Sequence, residues 1–298
     1  MNRSLSKTST RFYRIAFKLL KFSNKLGYRN MMRIGRFIGR RMMQLDANHS
    51  RIAAINLDLA QPLLSPQQQR DLLEKSFEHV GMGIMEMAFS WWSPAERFNS
   101  RMHIKGLHNL KQAESLNKGI IFVTGHFTTP DILFRFIGNR LPTMNIFNPH
   151  QNEFIDRCIR AYRKRNSLAI LNHEDIAQIT RTLKNKDSLL LNHDEEPLHK
   201  QIVFSPFFKV PAATNTAVHR FARMTGAAVV PVLAVREDDL NGYKIIFEAP
   251  LQNFPRDAET DCQRLNQIIE RWIDKYPEQY DWSQPRFRHR PDGEPTFY

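Results

Sequence analysis

The first 45 residues of this 298-residue chain contain no aspartate or glutamate. The same stretch carries twelve basic side chains: Arg3, Lys7, Arg11, Arg14, Lys18, Lys21, Lys25, Arg29, Arg33, Arg36, Arg40 and Arg41. The remaining 253 residues balance 31 Lys and Arg against 30 Asp and Glu, so the net charge of +13 belongs to one segment and not to the body of the protein. Cysteine is scarce. Cys158 and Cys262 form no C-x-x-C pair and no metal-ligand spacing, which fits a reducing compartment. No run of 18 uncharged apolar residues occurs, so nothing reads as a bilayer-spanning helix. The pattern argues against a cleaved signal peptide as well, because Lys or Arg interrupts the early apolar stretch every three or four residues. Internal repeats and low-complexity linkers are absent. With 42% apolar and 24% charged residues, the chain reads as folded and globular.

The basic segment is patterned. Phe12, Ile15, Leu19, Phe22 and Leu26 recur at alternating steps of three and four, which places them on one helical face. Arg11, Arg14, Lys18, Lys21 and Lys25 repeat those steps one residue earlier. After Gly27 a second stretch, Met31, Ile34, Ile38 and Met42, runs beside Arg29, Arg33, Arg36 and Arg40. A cationic stripe beside long apolar side chains suits a helix lying in the headgroup layer of an anionic membrane. Two other readings compete: a helix packed on the core with a solvated basic face, and a nucleic-acid contact. The second does not call for Phe and Leu at helical spacing. Residues 1–45 are thus expected to form a membrane-associating segment, and 46–298 a single domain.

In that domain, Ser65 and Pro66 cap a long helix over 66–92. Beyond residue 100, short apolar runs (119–124, 144–147, 168–171, 188–191, 228–235 and 243–248) alternate with helical patterns (130–138, 152–164, 174–183 and 214–224). A last helix covers 259–275. Strand–helix alternation predicts an α/β fold with a mixed, mainly parallel sheet flanked by helices, preceded by a helical N-terminal portion.

One junction stands out, GIIFVTGHFTTPD (119–131). The His-x4-Asp spacing alone means little. With 11 histidines, roughly one such match is expected by chance, and His289…Glu294 supplies a second in a polar tail. Position separates the two. His126 follows a strand and precedes a helix, where open α/β sheets gather their sites. Thr129-Pro130-Asp131 reads as N-cap, N1 and N2, so Asp131 has a structural reason to be there, since the helix dipole favours a carboxylate in the first turn. The same carboxylate is expected to reach back and fix the tautomer of His126, leaving Nε2 to take a proton.

GHFTTPD resembles the HX4D/E motif of glycerolipid-type acyltransferases. Four further blocks resemble, in order, those of the late lipid A acyltransferases of Gram-negative bacteria, the lauroyl and myristoyl transferases: FEHVGMGIMEMAFSWW (77–92), FNPHQNEFIDRCIRAYRKR (147–165), FSPFFKVPAATNTAVHRFARMTGAAVVPV (204–232) and PEQYDWSQPRFRHRPDG (277–293). The resemblance implies transfer of a fatty acyl group from acyl-acyl carrier protein to a hydroxyl of a (Kdo)-lipid A precursor, with His126 as general base and Asp131 orienting it. It also implies substrate-binding roles for Arg163, Arg165, Asp194 and Arg223. No metal and no cofactor is called for, and no nucleic acid. The implied partners are acyl carrier protein, the glycolipid acceptor and an anionic membrane surface at the cytoplasmic face of the inner membrane. Two alternatives share the motif or the fold: a glycerolipid or other glycolipid O-acyltransferase, and a non-catalytic lipid-binding protein. The sequence departs from the family at two places. Asn192 stands where an aspartate is common, and Ser283-Gln284-Pro285 breaks a basic pair in the tail. Phe89, Trp91 and Trp92 are read as core, with the wall of an acyl groove as the alternative.

Overall fold

Two helices, α1 (Lys7–Ser23) and α2 (Tyr28–Leu45), open the chain and are separated at Gly27. The computed structural model describes residues 7–146, 152–165, 167, 169–171, 175–195 and 202–298. Arg3, the side chains of Arg11 and Phe12, residues 147–151 of the block at 147–165, and residues 196–201 lie outside the described part. α3 (Ala47–Ala60) follows, then α4 (Pro66–Trp92), which starts where expected. The Ser65 side chain accepts from Gln68 N–H and the Gln68 side chain accepts from Ser65 N–H, a reciprocal capping box with Pro66 in the first turn. α5 (Ala95–Asn99) leads into β1 (Met102–Lys105) and α6 (Leu107–Ser115).

Alternation then sets in: β2 (Ile120–Thr124), α7 (Pro130–Gly138), β3 (Thr143–Ile146), α8 (Glu153–Arg163), β4 (Ala169–Leu171), α9 (Ile176–Lys184) and β5 (Ser188–Asn192). A hairpin, β6 (Ile202–Phe207) and β7 (Val210–Asn215), precedes α10 (Ala217–Thr225), β8 (Ala228–Arg236), β9 (Tyr243–Phe247) and α11 (Ala258–Lys275). Seven strands form one sheet in the order β1-β9-β8-β2-β5-β3-β4, with β6 and β7 paired apart from it. Every neighbouring pair in the large sheet is parallel except β8 with β9. The fold is therefore α/β with a mixed, mainly parallel sheet flanked by helices.

Both faces of the sheet are covered, which is why its central strands are continuous apolar runs without alternation. Ile121 and Val123 face a layer built from α3, α9, α10 and α11, through residues such as Leu57, Leu183, Phe221 and Ile269. Ile120 and Phe122 face the other way, against α2, α4, α6 and α7, through Met32, Met82, Leu110 and Phe136. Tyr28, Met31 and Met32 are buried in that second layer, so the latter half of the basic segment is also a core element. α2 approaches α4 closely because Gly35 and Gly39 face Gly81. A methyl on Gly39 would collide with the Phe77 carbonyl, and one on Gly81 with that of Gly35.

α1 packs differently. Its expected apolar stripe faces outward, with Ile15, Leu19 and Phe22 at 52%, 64% and 61% exposure. The helix docks through Phe17 instead, whose ring meets Trp92, Trp91 and Phe154 at 5.2, 5.9 and 5.7 Å. Among the described residues no helix is long and apolar enough to cross a membrane.

The sequence pattern anticipates the strands from β2 to β5 and β8 to β9, but not β1 or the hairpin. Thr214 and Asn215, placed by the pattern at the start of the helix over 214–224, belong to β7, and Thr216 is the N-cap of α10. Asn215 still serves the helix start, since its side-chain oxygen accepts from Ala217 N–H at 2.8 Å. Gly226 ends α10 with a φ of 69°.

Candidate active site

β2 and β5 lie side by side in parallel register, and Thr124 pairs with Asn192 at their carboxyl ends. The two residues two positions beyond those ends are His126 and Asp194. The ladder continues for one bond past the strands, from His193 N–H to Thr124 O at 2.9 Å, and so brings the pair together. Nδ1–H of His126 donates to Asp194 Oδ1 at 2.8 Å, the carboxylate fixing which ring nitrogen carries the proton. His126 backbone N–H points at both carboxylate oxygens, 3.1 and 2.9 Å away. Tyr280 completes the set, its hydroxyl donating to Asp194 Oδ2 at 2.7 Å. Gly125 makes room, because a Cβ there would stand 3.1 Å from Asp194 Oδ2 and 3.1 Å from Ile269.

The carboxylate holding the imidazole is therefore Asp194, not Asp131 as the spacing suggested. Asp131 does occupy the first turn of α7, with Thr129 at the N-cap and Pro130 ahead of it. From there its Oδ1 accepts Trp91 Nε1–H at 3.0 Å, and its carbonyl accepts the Ser90 hydroxyl at 2.7 Å. Asp131 also acts electrostatically on Arg163. The reason is geometric. A residue at N2 points along the helix flank toward α4, whereas a residue past a neighbouring parallel strand lies in the same row as His126.

The charges follow from these contacts. Burial disfavours a cationic imidazole, but the charge and hydrogen bond of Asp194 override it, and His126 is pushed up to about 9; Glu195 and Asp281 act in the same direction. Burial likewise works against the Asp194 carboxylate, yet His126 and the donated hydrogen bonds hold it well below the usual carboxylate range. The Asp194 side chain is fully buried, while that of His126 keeps 20% of its surface exposed. That surface opens on a cleft of about 400 Å³. Val80, Gly83, Ile84 and Met87, one face of α4, wall it together with Leu133, Phe134 and Leu190. Asn192, whose Nδ2 is 3.5 Å from His126 Nε2, and Arg163 bring polar groups to it. The Arg163 guanidinium lies 4.2 Å from the centre of the Phe134 ring.

The sequence matches the family described as bacterial lipid A biosynthesis acyltransferase over residues 2–289. It is 32% identical over 276 residues to the lipid A biosynthesis lauroyltransferase of Escherichia coli (strain K12), covering 92% of this chain and 90% of that one. The chain belongs to the bacterial lipid A biosynthesis acyltransferase family. Similarity extends to the E. coli palmitoleoyltransferase, 31% identical with coverage of 83% and 81%, and to the myristoyltransferase, 25% identical with coverage of 89% and 81%. The protein is thus an O-acyltransferase.

In this lipid A acyltransferase the other site residues divide. Arg163, at the end of α8, lines the cleft. Arg165, two residues on, is exposed and does not line it. Asp194 does not face a substrate, because its whole side chain lies behind the imidazole. Arg223 is not at the cleft either. It is exposed in the last turn of α10, which leads into the start of β8 where Ala228 pairs with Ile120, so it sits at the end of the strands opposite His126. Phe89 and Trp91 are core: Phe89 stacks on Phe98 and Tyr243, and Trp91 stacks on Tyr162 at 4.9 Å. The apolar wall comes instead from residues 80, 83, 84 and 87. Their spacing of three, one and three is itself a helical face, so the signal is present within the same motif.

Proposed function

We propose that the chain transfers a fatty acyl group from acyl-acyl carrier protein to a hydroxyl of a (Kdo)-lipid A precursor during outer-membrane lipid synthesis. The observation that carries this reading is an imidazole whose Nδ1–H is committed to a buried carboxylate while its other nitrogen opens on an apolar cleft. His126 Nε2 takes the proton of the acceptor hydroxyl as its oxygen attacks the thioester carbonyl carbon. A C–O bond forms, the C–S bond breaks, and the proton passes to the departing thiolate. Asp194 keeps the ring in the required tautomer and stabilises the imidazolium that forms. Arg163 offers positive charge to the oxyanion of the tetrahedral intermediate, and Asp131 holds α7 and Arg163 in place. The apolar face of α4 fits an acyl chain. Arg165, exposed beyond α8, is left to the phosphates of the acceptor, which suit a guanidinium fork.

Membrane attachment is assigned to α1 and the outer face of α2. Ile15, Leu19 and Phe22 project beside Arg14, Lys18, Lys21 and Lys25, all exposed. A helix that leaves its apolar stripe unburied next to its cations fits the interface of an anionic bilayer at the inner membrane.

Mass spectrometry of lipid A from cells with and without the protein tests the reaction. One acyl chain is expected to be missing without it, and an unchanged spectrum sinks the proposal in favour of another acceptor. In purified enzyme, His126→Ala is expected to slow acyl transfer by roughly 10²–10⁴-fold, the usual contribution of general acid–base catalysis.

A further inference from the structure

Asp194 receives a hydrogen bond from a residue 86 positions away that does not line the cleft. Tyr280 is 2% exposed, and its hydroxyl is spent on Asp194 Oδ2. Its ring is fixed without that bond, packing edge-on against Phe127 at 5.6 Å and Trp282 at 5.1 Å. The backbone around it is fixed too. Phe127 and Tyr280 form an antiparallel bridge, Thr128 N–H donates to Gln279 O at 2.9 Å, and Asp281 N–H donates to His126 O at 2.8 Å. The Gln279 side chain ties this strap to β8, accepting from Arg236 N–H at 2.8 Å and donating to Arg236 O at 3.0 Å. Phenylalanine would satisfy the packing equally well. What the hydroxyl adds is one donor aimed at a carboxylate.

We infer that Tyr280 is a positioning residue that sets the proton affinity of His126 through Asp194, making a relay of phenol, carboxylate and imidazole. The inference rests on His126 being the base, as proposed above. A phenol donating to Oδ2 draws negative charge away from Oδ1, the oxygen that holds the imidazole. Without it, more charge faces His126, the imidazolium is held more tightly, and the neutral base forms only at higher pH. The surrounding charges bear on the same group. Asp281, from the strap, and Glu195, beyond β5, face His126, and Arg286 faces Tyr280 and Asp194. Burial pushes the pKa of His193 down, Arg286 acts in the same direction and Asp194 against it. Burial and the Asp194 charge push the Tyr280 phenol well above its ordinary value, so it remains a donor throughout.

Tyr280→Phe in the full chain tests this, read by NMR titration of isotope-labelled His126 and by the pH dependence of kcat. The His126 midpoint is expected to rise by about one unit. Activity at neutral pH should then fall roughly tenfold and recover toward alkaline pH, since one unit is a tenfold change in the unprotonated fraction. Replacing Tyr280 by 3-fluorotyrosine, which keeps the ring and strengthens the donor, should move the midpoint the other way. If neither variant moves the midpoint or the profile, Tyr280 only packs and the inference is overturned, whatever happens to the melting temperature. A fully active His126→Ala would overturn the general-base reading instead, while the NMR midpoints would still decide whether the relay exists.

Discussion

Burial works against a charged imidazole at His126 and the Asp194 carboxylate overrides it, so the ring titrates near pH 9. The base form is then the minority species at neutral pH and grows as pH rises. Acyl transfer should therefore increase from neutral pH toward about 9, and a pH–rate profile flat across that range would contradict the proposed base. Asp194→Asn removes the charge but leaves the burial, so the profile should move to lower pH, while the lost tautomer control cuts kcat by roughly a hundredfold. Asp131→Asn touches Trp91 and Arg163 and not the ring, so it should lower activity without moving the profile. A shift with Asp131→Asn and none with Asp194→Asn would restore the pairing that the spacing first suggested. The histidine itself was legible, from a strand end followed by a Thr-Pro-Asp helix start. Its partner was not, because β2 and β5 are separated in sequence by two other strands, and which strands lie side by side is decided by packing over the whole sheet.

At the scale of elements, the two glycines of α2 and Gly81 of α4 let two helix backbones pass closer than side chains would allow. Gly39→Ala is expected to destabilise the protein by about 1–3 kcal/mol through overpacking, measured by chemical denaturation, because the obstacle is the Phe77 carbonyl and not a flexible side chain. An unchanged midpoint would mean that the helices can separate without loss. Capping chemistry made the start of α4 readable to the residue. Fully buried strands showed as apolar runs, and amphipathic helices showed by their period. The β6–β7 hairpin escaped because Val210–Asn215 contains a proline, and its last two residues fall in the helical pattern read over 214–224. Its strand character comes from pairing with β6, in which Ser205 faces Ala212 and Phe207 faces Val210. Phe89 and Trp91 are core, as read from the sequence, and position on the helix decides which residues of α4 wall the cleft. The face that meets the cleft carries a glycine and three flexible or branched apolar residues.

Across the whole molecule, charge is segregated. The basic residues of α1 and the exposed apolar side chains beside them form one surface, and the nearly neutral α/β body carries the chemistry. Leu19→Glu with Phe22→Glu should weaken co-sedimentation with anionic vesicles several-fold and leave the melting temperature in place, since both side chains already face solvent. Equal vesicle binding by the double variant would remove α1 from the membrane contact. The amphipathic stripe was plain in the sequence, but its direction was not. A period of 3.6 shows that a helix has an apolar face without showing whether that face meets a core or a bilayer. Phe17 takes the docking side and leaves the stripe off the core. The strap at Gln279–Asp281 has a different kind of consequence, one of order in time. His126, Asp194 and the apolar walls of the cleft all precede residue 237 in the chain, yet Asp281 and Gln284 complete its lining and the bonds that brace the His126 loop come from residues 279–281. A chain halted during synthesis after β8 would carry the imidazole, its carboxylate and the apolar walls but lack their brace, so under the proposed mechanism catalytic competence waits for the segment around Tyr280.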